Sequence, residues 1–201
     1  MLYRVLKPLV KRVLWGFFRI QVVGGERIPA QGPAILAANH VSWLDAIVLA
    51  ILADRPVHMV AKQELFRIPI IGYILRHAYV MEARRDGTDY VLLRRALQAL
   101  RDGHLVGLFP EGTRSRTGQL GQPRGGVALL AFHADAPVIP IAVRGTEQVY
   151  EKGWIWRPRP VQVLVGQPVH LGLRQGRVGR EELNEASGRI MGAISSLLEA
   201  M

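Results

Sequence analysis

A histidine and an aspartate stand five positions apart in the segment Asn39-His40-Val41-Ser42-Trp43-Leu44-Asp45. An imidazole beside a carboxylate is a frequent general base, because the carboxylate orients the ring and stabilises the imidazolium that forms. The group that such a pair deprotonates is typically a hydroxyl. The spacing therefore indicates proton abstraction by His40, with Asp45 orienting it.

Helix geometry restricts how these two side chains can meet. Residues five apart on one helix diverge by about 140°, so His40 must precede the helix that contains Asp45. Ser42 is a favourable N-cap, which would place Asp45 at N3, in the first turn, with His40 folded back over it. A second interpretation stays open, because Ser42-x-x-Asp45 also fits a capping box with His40 as an ordinary loop residue.

The segment Phe109-Pro110-Glu111-Gly112-Thr113-Arg114-Ser115 carries the features of an anion site. Gly112 permits close backbone approach, and Arg114 can hold two phosphate oxygens at once. Thr113 adds a hydroxyl donor, and Glu111 could hold the arginine or a substrate hydroxyl. The alternative is a polar surface turn with a local Glu–Arg pair. Base and anion site together indicate transfer chemistry on a phosphorylated alcohol.

Strands and helices alternate along most of the chain. Apolar runs predict strands at residues 20–23, 34–38, 57–61, 78–81, 105–109, 138–143 and 161–165. Helical spacing occurs at residues 44–52, 90–100, 127–132 and 181–198. This order predicts an α/β fold, a single layered domain with a mostly parallel or mixed central sheet flanked by helices. Both motifs directly follow predicted strands, and ligands of open α/β sheets bind at the carboxyl ends of strands.

The amino-terminal segment predicts an amphipathic helix. Its apolar residues share one broad face, and basic residues gather on the opposite face, namely Arg4, Lys7 and Lys11. Charged residues interrupt every window long enough to span a bilayer. We interpret residues 1–19 as a membrane-surface helix and residues 20–201 as the domain that carries the motifs. An ordinary helix packed on the domain is the alternative.

Composition narrows the classes of function. The formal net charge of +10 predicts attraction to polyanions, which include nucleic acids, anionic lipids and phosphorylated metabolites. The absence of cysteine excludes disulfides, thiolate nucleophiles and cysteine zinc sites. Motifs of nucleotide hydrolysis, serine hydrolysis, zinc proteolysis and dinucleotide redox chemistry are missing as well.

Taken together, the motifs resemble those of the 1-acyl-sn-glycerol-3-phosphate acyltransferase family, the lysophosphatidate acyltransferases of glycerolipid synthesis. The family's His-x4-Asp block matches His40 and Asp45, and its Phe-Pro-Glu-Gly-Thr-Arg-Ser block matches residues 109–115 throughout. The fourth block, an apolar strand with a central proline, matches residues 138–142. The resemblance covers about residues 20–170.

A further block of the family ends in an arginine that contacts the acceptor phosphate. Residues 78–84 are similar to this block, with Ala78 in place of the common glycine. The similarity makes Arg84 the phosphate-contacting residue. Because Arg85 follows it directly, the arginine of this block could instead be Arg85.

The resemblance implies an enzyme that moves a fatty acyl chain from a thioester of acyl carrier protein or coenzyme A to the hydroxyl of 1-acyl-glycerol-3-phosphate, giving phosphatidate. His40 would be the base, Asp45 would orient it, and the acceptor phosphate would be bound by Arg84, Glu111, Gly112, Thr113 and Arg114. No cofactor and no metal is needed.

We expect a peripheral or monotopic enzyme on the cytoplasmic face of a cell membrane, such as the bacterial inner membrane. Its partners would be the thioester donor, the lysophospholipid and the anionic membrane surface, with no nucleic acid. Two alternatives remain open: another acceptor, such as glycerol-3-phosphate, a different lysophospholipid or a lyso-ornithine lipid, and a non-catalytic phospholipid-binding module.

Overall fold

The computed structural model describes residues 2–83, 89–115, 117–151, 155–156 and 159–201. Its helices are α1 Leu2–Phe18, α2 Trp43–Leu52, α3 Gln63–Phe66, α4 Pro69–His77, α5 Tyr90–Arg101, α6 Gly126–Ala134 and α7 Arg180–Glu199. Its strands are β1 Gln21–Val23, β2 Ala34–Ala38, β3 Val57–Lys62, β4 Val80–Ala83, β5 Leu105–Leu108, β6 Val138–Arg144, β7 Tyr150–Glu151, β8 Ile155–Trp156 and β9 Gln162–Val165.

Seven of these strands form one sheet in the order β1-β9-β6-β2-β5-β3-β4, and β7 pairs with β8 separately. Every neighbouring pair in the large sheet is parallel except β6 and β9, which are antiparallel. The predicted α/β architecture, with a mixed and mostly parallel sheet, is therefore confirmed. Because β2 and β5 are parallel neighbours, the two sequence motifs that follow them leave the sheet at the same edge.

Strand β2 lies at the centre of the sheet and is buried along its whole length. Its alternate side chains enter two different apolar layers, since successive residues of a strand point to opposite faces. Leu36 packs in the layer that contains α2 and the end of α1. Ile35 packs in the layer that contains α5, α6 and α7. Burial on both faces explains why the sequence of this strand is a continuous apolar run.

The segment from residue 62 to residue 83 differs most from the sequence-based expectation. Helices α3 and α4 occupy its first part, where no helix was predicted. The predicted strand 78–81 begins instead at Val80, because Tyr79 adopts a left-handed conformation with φ of 57° that ends the preceding turn. The antiparallel pairing of β7 with β8 was also not anticipated.

Helix α1 lies on the domain through one side, which carries Lys7 and Lys11 together with the apolar residues Leu14 and Phe18. Lys7 Nζ donates a hydrogen bond of 2.7 Å to the carbonyl oxygen of Arg55, and Lys11 Nζ donates to Asp54 Oδ1 at 3.1 Å. Large apolar side chains on the other side are exposed, namely Leu9, Val13 and Phe17. In the part of the chain that the structure describes, no helix is both long and apolar enough to cross a bilayer.

Candidate active site

Asn39 fixes the chain as it leaves β2. Its side-chain amide is buried and forms two hydrogen bonds with the backbone of Val143 in β6. Nδ2 donates to the Val143 carbonyl oxygen at 2.9 Å, and Oδ1 accepts from the Val143 amide at 2.8 Å. The loop that carries His40 is thereby anchored to the neighbouring strand.

His40 and Asp45 are in contact. Nδ1 of His40 lies 3.1 Å from Oδ2 of Asp45, whose side chain is completely buried. Ser42 is the N-cap of α2, and a capping box is present in which Asp45 accepts from the Ser42 backbone amide at 2.7 Å. The capping box and the imidazole–carboxylate contact therefore coexist, because one carboxylate oxygen serves both.

The Asp45 carboxylate is held on its other oxygen by a residue that sequence reasoning missed. Thr146 Oγ1 donates a hydrogen bond to Asp45 Oδ1, and Thr146 is fully buried in the turn after β6. The backbone amide of Val41 adds a hydrogen bond of 2.7 Å to Oδ2. The sequence feature that could have identified Thr146 is a polar residue just after a buried strand, which both motifs also show.

These contacts determine the tautomer of His40. A carboxylate surrounded by N–H and O–H donors acts as an acceptor, so Nδ1 of His40 carries the proton. Nε2 is then left as a proton acceptor, and it makes no hydrogen bond with any described residue. The His40 side chain is 15% exposed, which leaves limited access from solvent.

Glu111 joins the second motif to the first. Its buried carboxylate accepts from the backbone amide of His40 at 3.2 Å through Oε1 and from the backbone amide of Gly121 at 2.8 Å through Oε2. The amide of Ser115 donates to the His40 carbonyl oxygen at 2.7 Å. The Phe109 ring stacks on the imidazole with 3.8 Å between ring centroids. The second motif thus supports the loop that carries His40.

Gly112, Thr113 and Arg114 of the second motif are exposed. Gly112 has φ of 67°, a conformation that favours glycine, and a Cβ atom there would lie 2.7 Å from Cδ of Arg124. Thr113 and Arg114 lie beside it on the surface. The guanidinium of Arg114 has no hydrogen bond or ion pair with the residues described. Arg124, a second cation at this turn, was not anticipated.

Arg84 lies outside the described residues. Its role in binding the acceptor phosphate therefore stays a prediction. Among the described residues, no group of three or more histidine or acidic side chains is placed to hold a metal ion.

The arrangement can accept a proton from an alcohol. One imidazole nitrogen is fixed by a buried carboxylate, while the other is available, and an arginine stands on the neighbouring loop. This is the geometry that a general base needs for a phosphorylated substrate.

Comparison with known proteins identifies relatives of the whole domain. The crystal structure of the 1-acyl-sn-glycerophosphate acyltransferase PlsC from Thermotoga maritima superimposes with a TM-score of 0.73 at 26% identity, covering 96% of this chain and 80% of that one. The chain is 34% identical over 163 residues to the 1-acyl-sn-glycerol-3-phosphate acyltransferase of Pseudomonas aeruginosa, covering 79% of this chain and 62% of that protein.

A chloroplastic relative from Arabidopsis thaliana, 1-acyl-sn-glycerol-3-phosphate acyltransferase LPAT1, is 33% identical over 162 residues, covering 78% of this chain. The chain spans about half the length of the plant relatives, with 45% of the Arabidopsis protein and 47% of a Brassica napus protein covered. The model of the acyltransferase family matches residues 19–144, which include both motifs. This match covers more than half of the chain, and the chain therefore belongs to the acyltransferase family.

Proposed function

We propose that this protein transfers a fatty acyl chain from an acyl thioester to the free hydroxyl of 1-acyl-glycerol-3-phosphate, which gives phosphatidate. The observation that carries the proposal is the contact between His40 Nδ1 and the buried Asp45 carboxylate beside the Arg114 loop. The names of the relatives from Pseudomonas aeruginosa and Arabidopsis thaliana support the choice of acceptor.

In the proposed reaction, Nε2 of His40 takes the proton of the acceptor hydroxyl as the oxygen attacks the thioester carbonyl carbon. A new C–O ester bond forms, and the tetrahedral intermediate collapses with cleavage of the C–S bond. The leaving thiolate, of acyl carrier protein or coenzyme A, takes the proton from the imidazolium. Asp45 holds the ring and stabilises its positive charge between these two transfers.

We assign the acceptor phosphate to the loop after β5 and to Arg84. Arg114 is exposed and makes no hydrogen bond with any residue that the structure describes, and Thr113 beside it supplies a hydroxyl. The conformation of Gly112 brings Arg124 against the same turn, which raises the local positive potential. Glu111 belongs to this group as the residue that links the phosphate loop to the base, since both of its carboxylate oxygens accept from backbone amides.

Residues 1–19 are proposed to lie on the membrane surface and residues 20–201 to form the catalytic domain. The exposed side of α1 carries Leu9 and Val13, each 57% exposed, and Phe17. Arg12 and Arg19 lie on the surface of the same segment. Apolar side chains next to cations suit the interface of an anionic leaflet, which we take to be the cytoplasmic face of the cell membrane.

The His40→Ala variant tests the assignment of the base. Because Nε2 is removed, thiol release from an acyl thioester in the presence of lysophosphatidate should fall by about a thousandfold or more. His170→Ala is the matched control, since that exposed side chain lies away from both motifs, and it should keep the wild-type rate.

Retained turnover in a folded His40→Ala protein would remove the base from this position. An absence of thiol release from the wild-type protein with every acceptor tested would favour the phospholipid-binding module instead. A panel of glycerol-3-phosphate, lysophosphatidate and other lysolipids, assayed with one donor, identifies the acceptor.

A further inference from the structure

Helix α4 exposes the side chains that a surface helix ordinarily buries. Gly72 is its only buried residue. The apolar side chains Ile70, Ile71, Tyr73 and Ile74 are 76%, 41%, 55% and 41% exposed. Nothing within the described part of the chain covers them, so the apolar side of this helix faces outward.

The direction of these side chains is set by how α4 is attached to the domain. At about 100° per residue, the four side chains span an arc of about 160° whose centre lies opposite Gly72. A Cβ atom at Gly72 would lie 2.2 Å from the carbonyl oxygen of Phe66, so this face of α4 is pressed against α3. Arg76 Nη1 donates to the same carbonyl oxygen at 3.1 Å. The helix is therefore held by its small and polar side.

The charged side chains of residues 65–81, which include α4, are both arginines. Residues 65–81 contain no acidic residue. Arg67, just before α4, and Arg76, near its end, are both exposed. An apolar strip with tyrosine and a basic border is typical of helices that lie in the headgroup region of anionic membranes. A second copy of the chain would place the same cations opposite each other, which disfavours self-association here.

The position of α4 fits a contact made close to the candidate active site. Helix α3 begins directly after β3, and β3 is parallel to β5, which is itself parallel to β2. The α3–α4 segment therefore leaves the sheet at the edge from which the loops of His40 and Arg114 leave it. A membrane contact in this segment would bring that edge to the bilayer surface.

We propose that α4 is a membrane-docking element in which Ile70, Ile71, Tyr73 and Ile74 enter the headgroup region of an anionic bilayer. It acts in addition to the amino-terminal helix and does not depend on it. The readouts below do not measure turnover, so their failure would not bear on the acyltransferase proposal.

Site-specific fluorescence tests the proposal directly. Because the chain has no cysteine, Ile70→Cys and Ile74→Cys each provide one attachment point for an environment-sensitive fluorophore. The vesicles contain phosphatidylglycerol and phosphatidylcholine. A fraction of the lipids carries a nitroxide on an acyl carbon close to the headgroup. We expect a blue shift and nitroxide quenching at both positions. Leu173→Cys, which is 49% exposed in the loop before α7, is the matched control and should remain unquenched.

Three outcomes would overturn the proposal. The first is quenching of a Val13→Cys probe on α1 without quenching at positions 70 and 74. The second is a blue shift at position 70 that requires no vesicles and grows with protein concentration, which would identify a second copy as the occupant. The third is a failure of the unlabelled protein to sediment with the vesicles.

A binding measurement complements the probes. The double variant Ile70→Ser/Ile74→Ser should bind phosphatidylglycerol vesicles about tenfold or more weakly, because two exposed apolar side chains no longer enter the interface. Val23→Ser/Leu173→Ser removes two apolar side chains that are also exposed, but elsewhere, and should bind as the wild type does. Equal vesicle binding by the two double variants, with matching thermal unfolding, would contradict the proposal.

Discussion

Asp45 is the residue on which most contacts of the candidate site converge. Its carboxylate accepts from His40, from two backbone amides of the intervening loop and from Thr146. In the proposed reaction, a base held in this way would need little reorganisation when the substrate arrives, which would lower the barrier of proton transfer. At the scale of single residues, the site therefore depends on positioning groups as well as on the histidine.

Thr146→Val replaces the hydroxyl that holds Asp45 Oδ1 with a methyl group of similar size. Loss of a hydrogen bond to a carboxylate costs about 1.5–3 kcal/mol, so kcat/KM for acyl transfer should fall by about tenfold to a hundredfold. Thr146→Ser keeps the hydroxyl and should restore most of the rate. Steady-state kinetics of both variants, beside their thermal unfolding, checks this. Equal rates for valine and serine would reduce Thr146 to a packing residue.

Arg114→Ala tests the phosphate site. Because the guanidinium would contact the acceptor rather than the reacting atoms, KM for lysophosphatidate should rise by about tenfold or more while kcat changes less. Arg101→Ala is the control, since Arg101 is exposed at the end of α5 and precedes β5 rather than following it. An unchanged KM in folded Arg114→Ala would move the phosphate site to another residue.

At the scale of elements, the site depends on connections between strand ends. The loop after β2 is joined to β6 by Asn39 and to the loop after β5 by Glu111. The parallel arrangement of β5, β2 and β6 brings these loops to one edge of the sheet, and the side chains then fasten them together. The position of the His40 loop is thus determined by three neighbouring strands.

Asn39→Ala should destabilise the whole domain. The substitution leaves the buried amide and carbonyl groups of Val143 without their partner, at a cost of about 2–4 kcal/mol for the two groups. The midpoint of denaturant unfolding should fall accordingly, and Asn184→Ala, an exposed position on α7, should leave it unchanged. A loss of less than about 0.5 kcal/mol would show that solvent replaces these hydrogen bonds.

At the scale of the whole molecule, apolar surface and positive charge occur together on two separate helices. Helix α1 exposes Leu9, Val13 and Phe17, and α4 exposes its isoleucines and Tyr73. Together with the formal net charge of +10, this supports the proposal that the protein contacts an anionic bilayer at two places. The amino-terminal helix is still part of the folded molecule, because Lys7 and Lys11 contact the domain.

The contact of Lys7 makes stability depend on pH. Burial, together with the nearby Lys11, lowers the pKa of Lys7 to about 8 from its usual value of 10.5. Between these two values the unfolded chain binds the proton more strongly, so the free energy of unfolding should rise as the pH increases from 8 towards 10.5. Lys7→Met should remove this part of the rise.

Denaturant unfolding of the wild type and of Lys7→Met, measured at intervals between neutral pH and about pH 10, compares the two slopes directly. Lys62→Met, at an exposed lysine, is the control and should retain the wild-type slope. Identical slopes for the wild type and Lys7→Met would show that Lys7 is not buried in solution.

The amino-acid sequence by itself determined the strands of the large sheet and most of the helices, though not α3 and α4, as well as the capping of α2 by Ser42 and the two motifs after β2 and β5. These features depend on local spacing: apolar periodicity, a cap three residues before an aspartate, and polar residues that directly follow a buried strand. The same local rules predicted that His40 would fold back over Asp45, as the structure places them.

Only the tertiary structure decided which distant groups complete the site. Thr146 reaches Asp45 across 101 positions, and Asn39 reaches Val143 across 104, through pairings that no local period encodes. The outward orientation of α4 also depends on packing, although between residues that are close in sequence. Its apolar arc and Gly72 are present in the sequence, but the direction of the arc follows from the close approach of Gly72 to Phe66, which packing of α4 on α3 alone determines.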